Sequence, residues 1–433
     1  MEVAVFIIFC IMLILCVITG SSVVLALLAG LLLFIVYGLI KGFRPAQLLR
    51  MCADGIRPSL NIIITMLIIG ALTALWRASG CIPAIVCYAS GLIRPSVFLL
   101  LAFLLNALIS TLTGTAFGTV ATKGVICASI GKSMGIPVFW TGGAVLAGSF
   151  VGDRCSPVST SALLVCTVTG TDIYSNMRNM FRSALLPFFI SCAVYLAAGF
   201  TFSAGSADSG VRELFGLEFA TGLICLIPAA VILVLALFKA EVKLMMALSI
   251  VSAVPVCIFV QHQPVRDVLV TSVFGYEAAA PEVAGLINGG GILSMVSVSA
   301  VILIASCYAG IFRETGLLDF MLEIIEKASA KRSSFFIIFI TSVAVSAISC
   351  NQTLATMLTD QLTSGIEKDP EKRALFLEDT VIVVSPLIPW SIAASVPLAA
   401  VEAPVVSILA AVYLYALPLA GLVRYRRRRE EKL

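Results

Sequence analysis

Gly152-Asp153-Arg154-Cys155-Ser156-Pro157-Val158-Ser159-Thr160-Ser161 is a polar run between two apolar ones, Val138 to Val151 and Ala162 to Val168. A charged side chain at the middle of a bilayer costs about 2.5–3.5 kcal/mol on insertion scales, so Asp153 is expected to be used or paired. Gly152 lets the backbone leave helical geometry. Ser156-Pro157 reads as an N-cap with proline at the first helical position, which predicts a new half-helix starting there. A helix broken beside an acid is how carriers build ion and substrate sites. The plainer alternative is a loop at the membrane edge in which Asp153 and Arg154 neutralise each other.

Outward from that run, the 433 residues are 60% hydrophobic and only 12% charged, whereas soluble domains carry about 25% charged residues. Mean hydropathy is +1.09. Apolar runs of spanning length recur, which predicts an all-α polytopic membrane protein and excludes a β-barrel. The basic end, Arg424 to Lys432, is expected to be a cytoplasmic anchor, not a nucleic-acid site. Thirteen cysteines without a C-x-x-C read as small buried hydrophobes, and one histidine, His262, excludes a histidine-rich metal centre.

In order, spanning or near-spanning helices are expected over Val3 to Ile18, Val23 to Ile40 and Leu60 to Trp76. Lys41, Arg44, Arg50 and Arg57 place an amphipathic connection, and with it the N-terminus, in the cytoplasm. Ile82 to Ile93 is too short to span and reads as re-entrant or interfacial. A helix from Val97 to Ser110 is expected to break in Thr111 to Thr119, where two glycines and four threonines favour unwound, hydroxyl-lined backbone. Close helix packing through small residues is the alternative. Further helices are expected at Arg182 to Phe202, Leu214 to Phe238 and Met245 to Val260.

The chain then repeats itself. Trp76-Arg77-Ala78-Ser79-Gly80 is echoed by Phe312-Arg313-Glu314-Thr315-Gly316, and Arg94 to Phe98 by Arg332 to Phe336. That register sets Thr115 against Thr353 and Ser156-Pro157 against Ser385-Pro386. The charge bias of the connections inverts between copies. The expected organisation is an extra N-terminal helix (1–20), a first repeat (21–204), a second, inverted repeat (211–424) and a basic cytoplasmic tail (425–433). Paired broken helices of opposite orientation mark a secondary transporter with its site near the midplane.

At Thr113 to Thr119, Gly152 to Pro157, Leu377-Glu378-Asp379-Thr380 and Leu387-Ile388-Pro389-Trp390, the chain resembles the NhaC family of sodium/proton antiporters, inverted-repeat carriers of the ion-transporter group. The resemblance implies sodium/proton exchange, and some relatives couple ion flux to organic or amino acids. The chain departs where the family often has a second aspartate, here Thr160 followed by Ser161.

The expected ion or substrate site comprises Asp153, Ser156, Ser159, Thr160, Thr113, Thr115, Asn351, Thr353, Asp379 and Thr380. Asp153, Asp379, Thr115 and Ser156 are the expected sodium ligands, since sodium favours oxygen, and Asp153 and Asp379 the expected proton carriers. Arg154 leaves a second arrangement open, in which it neutralises Asp153. The expected function is sodium/proton antiport by alternating access, with no cofactor beyond sodium as coupling ion. The alternative is ion-coupled movement of a small carboxylate or amino acid, with Phe117 and Trp390 as candidate pocket walls. An intramembrane aspartyl protease using both aspartates is the reading from another class. Expected partners are the lipid bilayer, a small solute and a second copy, in the bacterial cytoplasmic membrane with both termini inside.

Overall fold

The computed structural model describes residues 2–19, 23–90, 94–202, 215–216, 218–238, 240–279, 283–284, 287–315 and 332–426. Among these there is no strand, and one isolated β-bridge joins Tyr276 to Gly289. Five helices are long and apolar enough to cross a membrane, and a sixth span is a pair bent by 57°, Pro370–Leu387 with Ile392–Ala400. The chain is an all-α multi-pass membrane protein. The loop Ser203 to Glu213, most of the Arg313 to Arg332 connection and the tail beyond Arg426 lie outside the described residues.

Helices α1 (Glu2–Thr19) and α2 (Val23–Ile40) pack on each other through Phe9 and Phe34, whose rings meet edge to face at 4.9 Å. Helix α3 (Pro45–Ile56) is amphipathic and short. It starts where the Arg44 backbone N–H donates to Gln47 Oε1 at 2.8 Å, and it buries Leu48. Spanning α4 (Leu60–Ala78) follows the expected bounds, and short α5 (Cys81–Ser90) the expected start, residues 91–93 lying outside the described ones.

Helix α6 (Pro95–Thr113) ends at Gly114, whose φ of +70° glycine adopts without strain. Thr115 is extended and caps the single turn α7 (Ala116–Thr119), which passes through a π turn (Val120–Gly124) into α8 (Val125–Ser133). Helix α9 (Val138–Cys155) runs unbroken through Gly152, contrary to the expected exit there. Gly152 serves packing instead: a methyl group on it would lie 2.0 Å from the Ser110 carbonyl carbon of α6. Nor do Ser156 and Pro157 open the next helix. They form a turn closed by Ser159 N–H to Ser156 O at 3.2 Å, and Ser159 caps α10 (Thr160–Thr169).

Helix α11 (Ile173–Thr201) is longer than expected and carries Pro187 inside it. Then come α12 (Ile227–Leu237), α13 (Val242–Pro255), α14 (Val265–Phe274) and α15 (Val296–Thr315). Helix α16 (Ser334–Ser349) stops at Cys350, φ +53°, and extended Asn351 caps α17 (Gln352–Thr363). Helices α18 (Pro370–Asp379) and α19 (Val381–Val384) lead through a tight turn, Ser385–Leu387, to α20 (Ile392–Ala400), and α21 (Val412–Arg426) ends the described chain.

The breaks match one another in backbone conformation at positions other than those the sequence echo pairs. Gly114-Thr115 and Cys350-Asn351 share one sequence of states, left-handed then extended cap, so in local backbone conformation Thr115 matches Asn351 and not Thr353. Ser156-Pro157-Val158-Ser159 corresponds to Ile388-Pro389-Trp390-Ser391. Both begin extended, turn, and cap a new helix with serine, and Ser391 N–H donates to Ile388 O at 2.9 Å. Pro386 continues the preceding helix as a 3₁₀ turn, so Pro389 is the counterpart of Pro157.

Candidate functional site

Four helix interruptions, after α6, α9, α16 and α19, bring polar groups into the interior. Asp153 is 5% exposed, in the last turn of α9. Ser161, in the first turn of α10, donates its hydroxyl to Asp153 Oδ2 at 2.8 Å. Gln352 Nε2, from the first turn of α17, donates to the same oxygen at 3.2 Å and to the Ile382 carbonyl at 3.2 Å. The Ala116 N–H at the start of α7 also faces this carboxylate. Asp153 is thus held by the starts of three helices, whose free N–H groups and dipoles favour negative charge. Among the described residues no lysine or arginine forms an ion pair with it.

Arg154, one residue on, points elsewhere. It is fully buried and pairs with Asp379. Its other donors reach the Glu378 carbonyl (3.2 Å), the Met180 carbonyl (3.1 Å), Ser183 Oγ (2.7 Å) and Tyr413 Oη (3.4 Å). Ser183 also donates to Asp379 at 2.9 Å. The arrangement in which Arg154 neutralises Asp153 is therefore not the one found: the arginine is spent on Asp379. Among the described residues no basic side chain forms an ion pair with Glu378 either. Its Oε1 accepts from Asn176 at 3.4 Å, and its buried Oε2 has no hydrogen-bond partner.

The remaining expected residues mostly finish helix ends. Ser159 donates to the Asp153 carbonyl and accepts from the Ser161 and Ala162 N–H groups. Ser156 Oγ accepts from Val158 N–H at 3.4 Å. Thr115 accepts from Gly118 N–H at 3.3 Å, and Thr113 pairs with Thr119 at 3.2 Å. Asn351 accepts from Thr353 N–H at 2.9 Å. Thr380 is buried and donates to the Phe376 carbonyl. Thr160 and Thr353 keep exposed side chains and line a cavity of about 200 Å³ with Ser161, Leu164, Gln352 and Thr356. Thr353 also lines a larger cavity of about 610 Å³, walled by Gln47, Arg50 and Asp54 of α3 and Ser306 of α15. Phe117 packs on the main core, and Trp390 donates its indole N–H to the Ala347 carbonyl at 2.7 Å. Among the described residues no group of three or more His, Cys, Asp or Glu is arranged to hold a metal.

The sequence profile described as the Na+/H+ antiporter family matches residues 1–172 and 165–423. The chain belongs to that family. It is 26% identical over 395 residues to the Na+/H+ antiporter NhaC of Bacillus subtilis, covering 88% of this chain and 87% of the relative. It is 24% identical over 383 residues to the malate-2H+/Na+-lactate antiporter of the same organism, covering 85% and 81%. The arginine/ornithine antiporter ArcD of Halobacterium salinarum is 26% identical over 373 residues, covering 82% and 77%.

In this Na+/H+ antiporter family chain, three polar residues escaped the reading of the sequence. Ser161 and Gln352 are neutral residues beside quoted motifs, and nothing in their spacing aims them at Asp153. Lys123 did carry a signal. It is a lysine in an apolar stretch one turn past the Thr113 to Thr119 break, and it is 4% exposed inside the π turn, a feature common at functional sites.

Proposed function

We propose that this protein is a secondary transporter that exchanges sodium for protons by alternating access, with Asp153 as the shared site. One observation supports the reading above others: Asp153 is a buried carboxylate with donors but, among the described residues, no cationic partner, beside a cavity, whereas Asp379 is already neutralised by Arg154. A carboxylate held by movable neutral donors can trade them for either a sodium ion or a proton. One locked to a buried guanidinium cannot do so without leaving that charge stranded. The dual proton-carrier role expected for Asp379 therefore narrows to holding α9 against α18, and Thr160 and Thr353 are the hydroxyls best placed to complete a cation shell. In reconstituted vesicles, Asp153→Asn should abolish sodium-driven proton movement while Asp153→Glu keeps part of it. Undiminished exchange by Asp153→Asn would remove the reading.

Lys41, Arg44, Arg50 and Arg57, in and around α3, support a cytoplasmic orientation of the 610 Å³ cavity. That volume far exceeds a bare sodium ion and lies in the range of small-molecule sites, about 300–1,000 Å³. It supports a second reading in which a small organic acid or amino acid is the cargo, as the names of two relatives, the malate-2H+/Na+-lactate and arginine/ornithine antiporters, state for those proteins. Uptake of labelled dicarboxylates and basic amino acids, with and without a sodium gradient, separates the two. The two pairs of matching breaks support an inverted repeat with the site at its centre.

A further inference from the structure

Two thiols outside this site face one another across the wall of the large cavity. Cys52 stands on α3 and Cys307 on α15, where the helices approach backbone to backbone. A methyl group added at Gly310 would lie 1.9 Å from the Met51 carbonyl oxygen, and one at Gly55 would lie 2.2 Å from that of Ser306. At this crossing the two thiols are near enough to interact with each other. Cys307 is 7% exposed and Cys52 half-buried, so only the second meets solutes readily. Helix α3 lies outside the spanning segments. There, donation from the Cys307 thiol draws the Cys52 thiol down to about 7, against the opposing effect of burial. An accessible, acidified thiol beside a second, sheltered one is the arrangement of a redox-responsive cysteine with its resolving partner.

We propose that Cys52 and Cys307 are a peroxide-responsive pair that closes to a disulfide and staples α3 to α15. The Cys52 thiolate attacks one peroxide oxygen, so an S–O bond forms, the O–O bond breaks and hydroxide leaves. Cys307 gives up its proton and attacks the Cys52 sulfur, so the S–S bond forms and the S–O bond breaks. Two thiols have then lost two electrons and two protons, and one peroxide has become two waters. Gln47, Arg50 and Asp54 of α3 and Ser306 and Gly310 of α15 line the cavity on both sides of the staple. The bond holds that wall in its present arrangement, and a carrier that must close the cavity in every cycle stops. This last step rests on the alternating-access reading; the formation of the bond does not.

The test uses the full chain in vesicles exposed to graded hydrogen peroxide, followed by peptide mass spectrometry and flux measurement on the same samples. A linked Cys52–Cys307 peptide, lighter by two hydrogens, is expected. Flux should fall in proportion to the linked fraction and return on treatment with a dithiol. Cys52→Ser and Cys307→Ser should transport at the basal rate and ignore peroxide. Absence of the linked peptide overturns the pair, whether or not the protein moves sodium. Linked protein that transports at full rate, or inhibition that persists in Cys52→Ser, overturns its action on transport.

Discussion

Asp153 and Arg154 are neighbours in sequence that serve different partners. Successive helical side chains diverge by about 100°, so two adjacent charges can face separate clusters. Arg154 finds an acid 225 positions away, and Asp153 finds a glutamine 199 positions away. The buried pair is expected to be structural. Removing one partner strands the other charge, so Arg154→Gln or Asp379→Asn should each cost about 3–5 kcal/mol. The replacement of both by Arg154→Met with Asp379→Leu should recover most of that, as read by unfolding midpoints in detergent. Two single variants no less stable than the parent would remove this role. At Asp153, Ser161→Ala or Gln352→Ala withdraws a donor from the charged form. The rate-against-pH curve of exchange should move upward, since the charged form loses a hydrogen bond that favours it. An unmoved curve with a lower maximum would assign these residues to packing alone.

Helix breaks show where one-dimensional reading succeeds and where it fails. The interruption at Gly114 was legible because glycine and threonine are poor material for a membrane helix and good material for a left-handed stop and a cap. At Gly152 the same logic misled: the glycine is helical, and its missing side chain is needed for α9 to touch α6. Gly152→Ala should therefore cost about 1–3 kcal/mol through overpacking, seen as a lower unfolding midpoint. Gly365→Ala, where an added methyl meets nothing within 4 Å, should change little. Equal effects of the two would refute the packing role. Cys350 plays the part in the second half that Gly114 plays in the first, at φ +53°. No composition rule would choose cysteine for that backbone, so the likeness of this break to the one at Gly114 stayed hidden until conformations could be compared.

Across the whole molecule, the cavity beside α3 is open while another edge is tied shut. Glu402, itself at φ +53°, accepts from Arg77 at 2.7 Å and from the Gly290 N–H at 3.1 Å, joining α4 to the end of α20. If this tie closes the outer side, Glu402→Gln should loosen it and raise the outward-open population. A membrane-impermeant maleimide should label Thr353→Cys from the cytoplasmic face in the parent, and from both faces once Glu402 is replaced. Labelling from the outside alone would reverse the orientation. Composition and apolar run length by themselves determined the membrane class, the approximate bounds of α1, α2, α4 and α6 and the residues worth watching, because burial in lipid demands long apolar helices and makes every interior charge conspicuous. Which charge neutralises which, and which oxygens face a cavity instead of finishing a helix end, only the tertiary structure decided. Those outcomes depend on how side chains hundreds of positions apart are aimed when the helices cross.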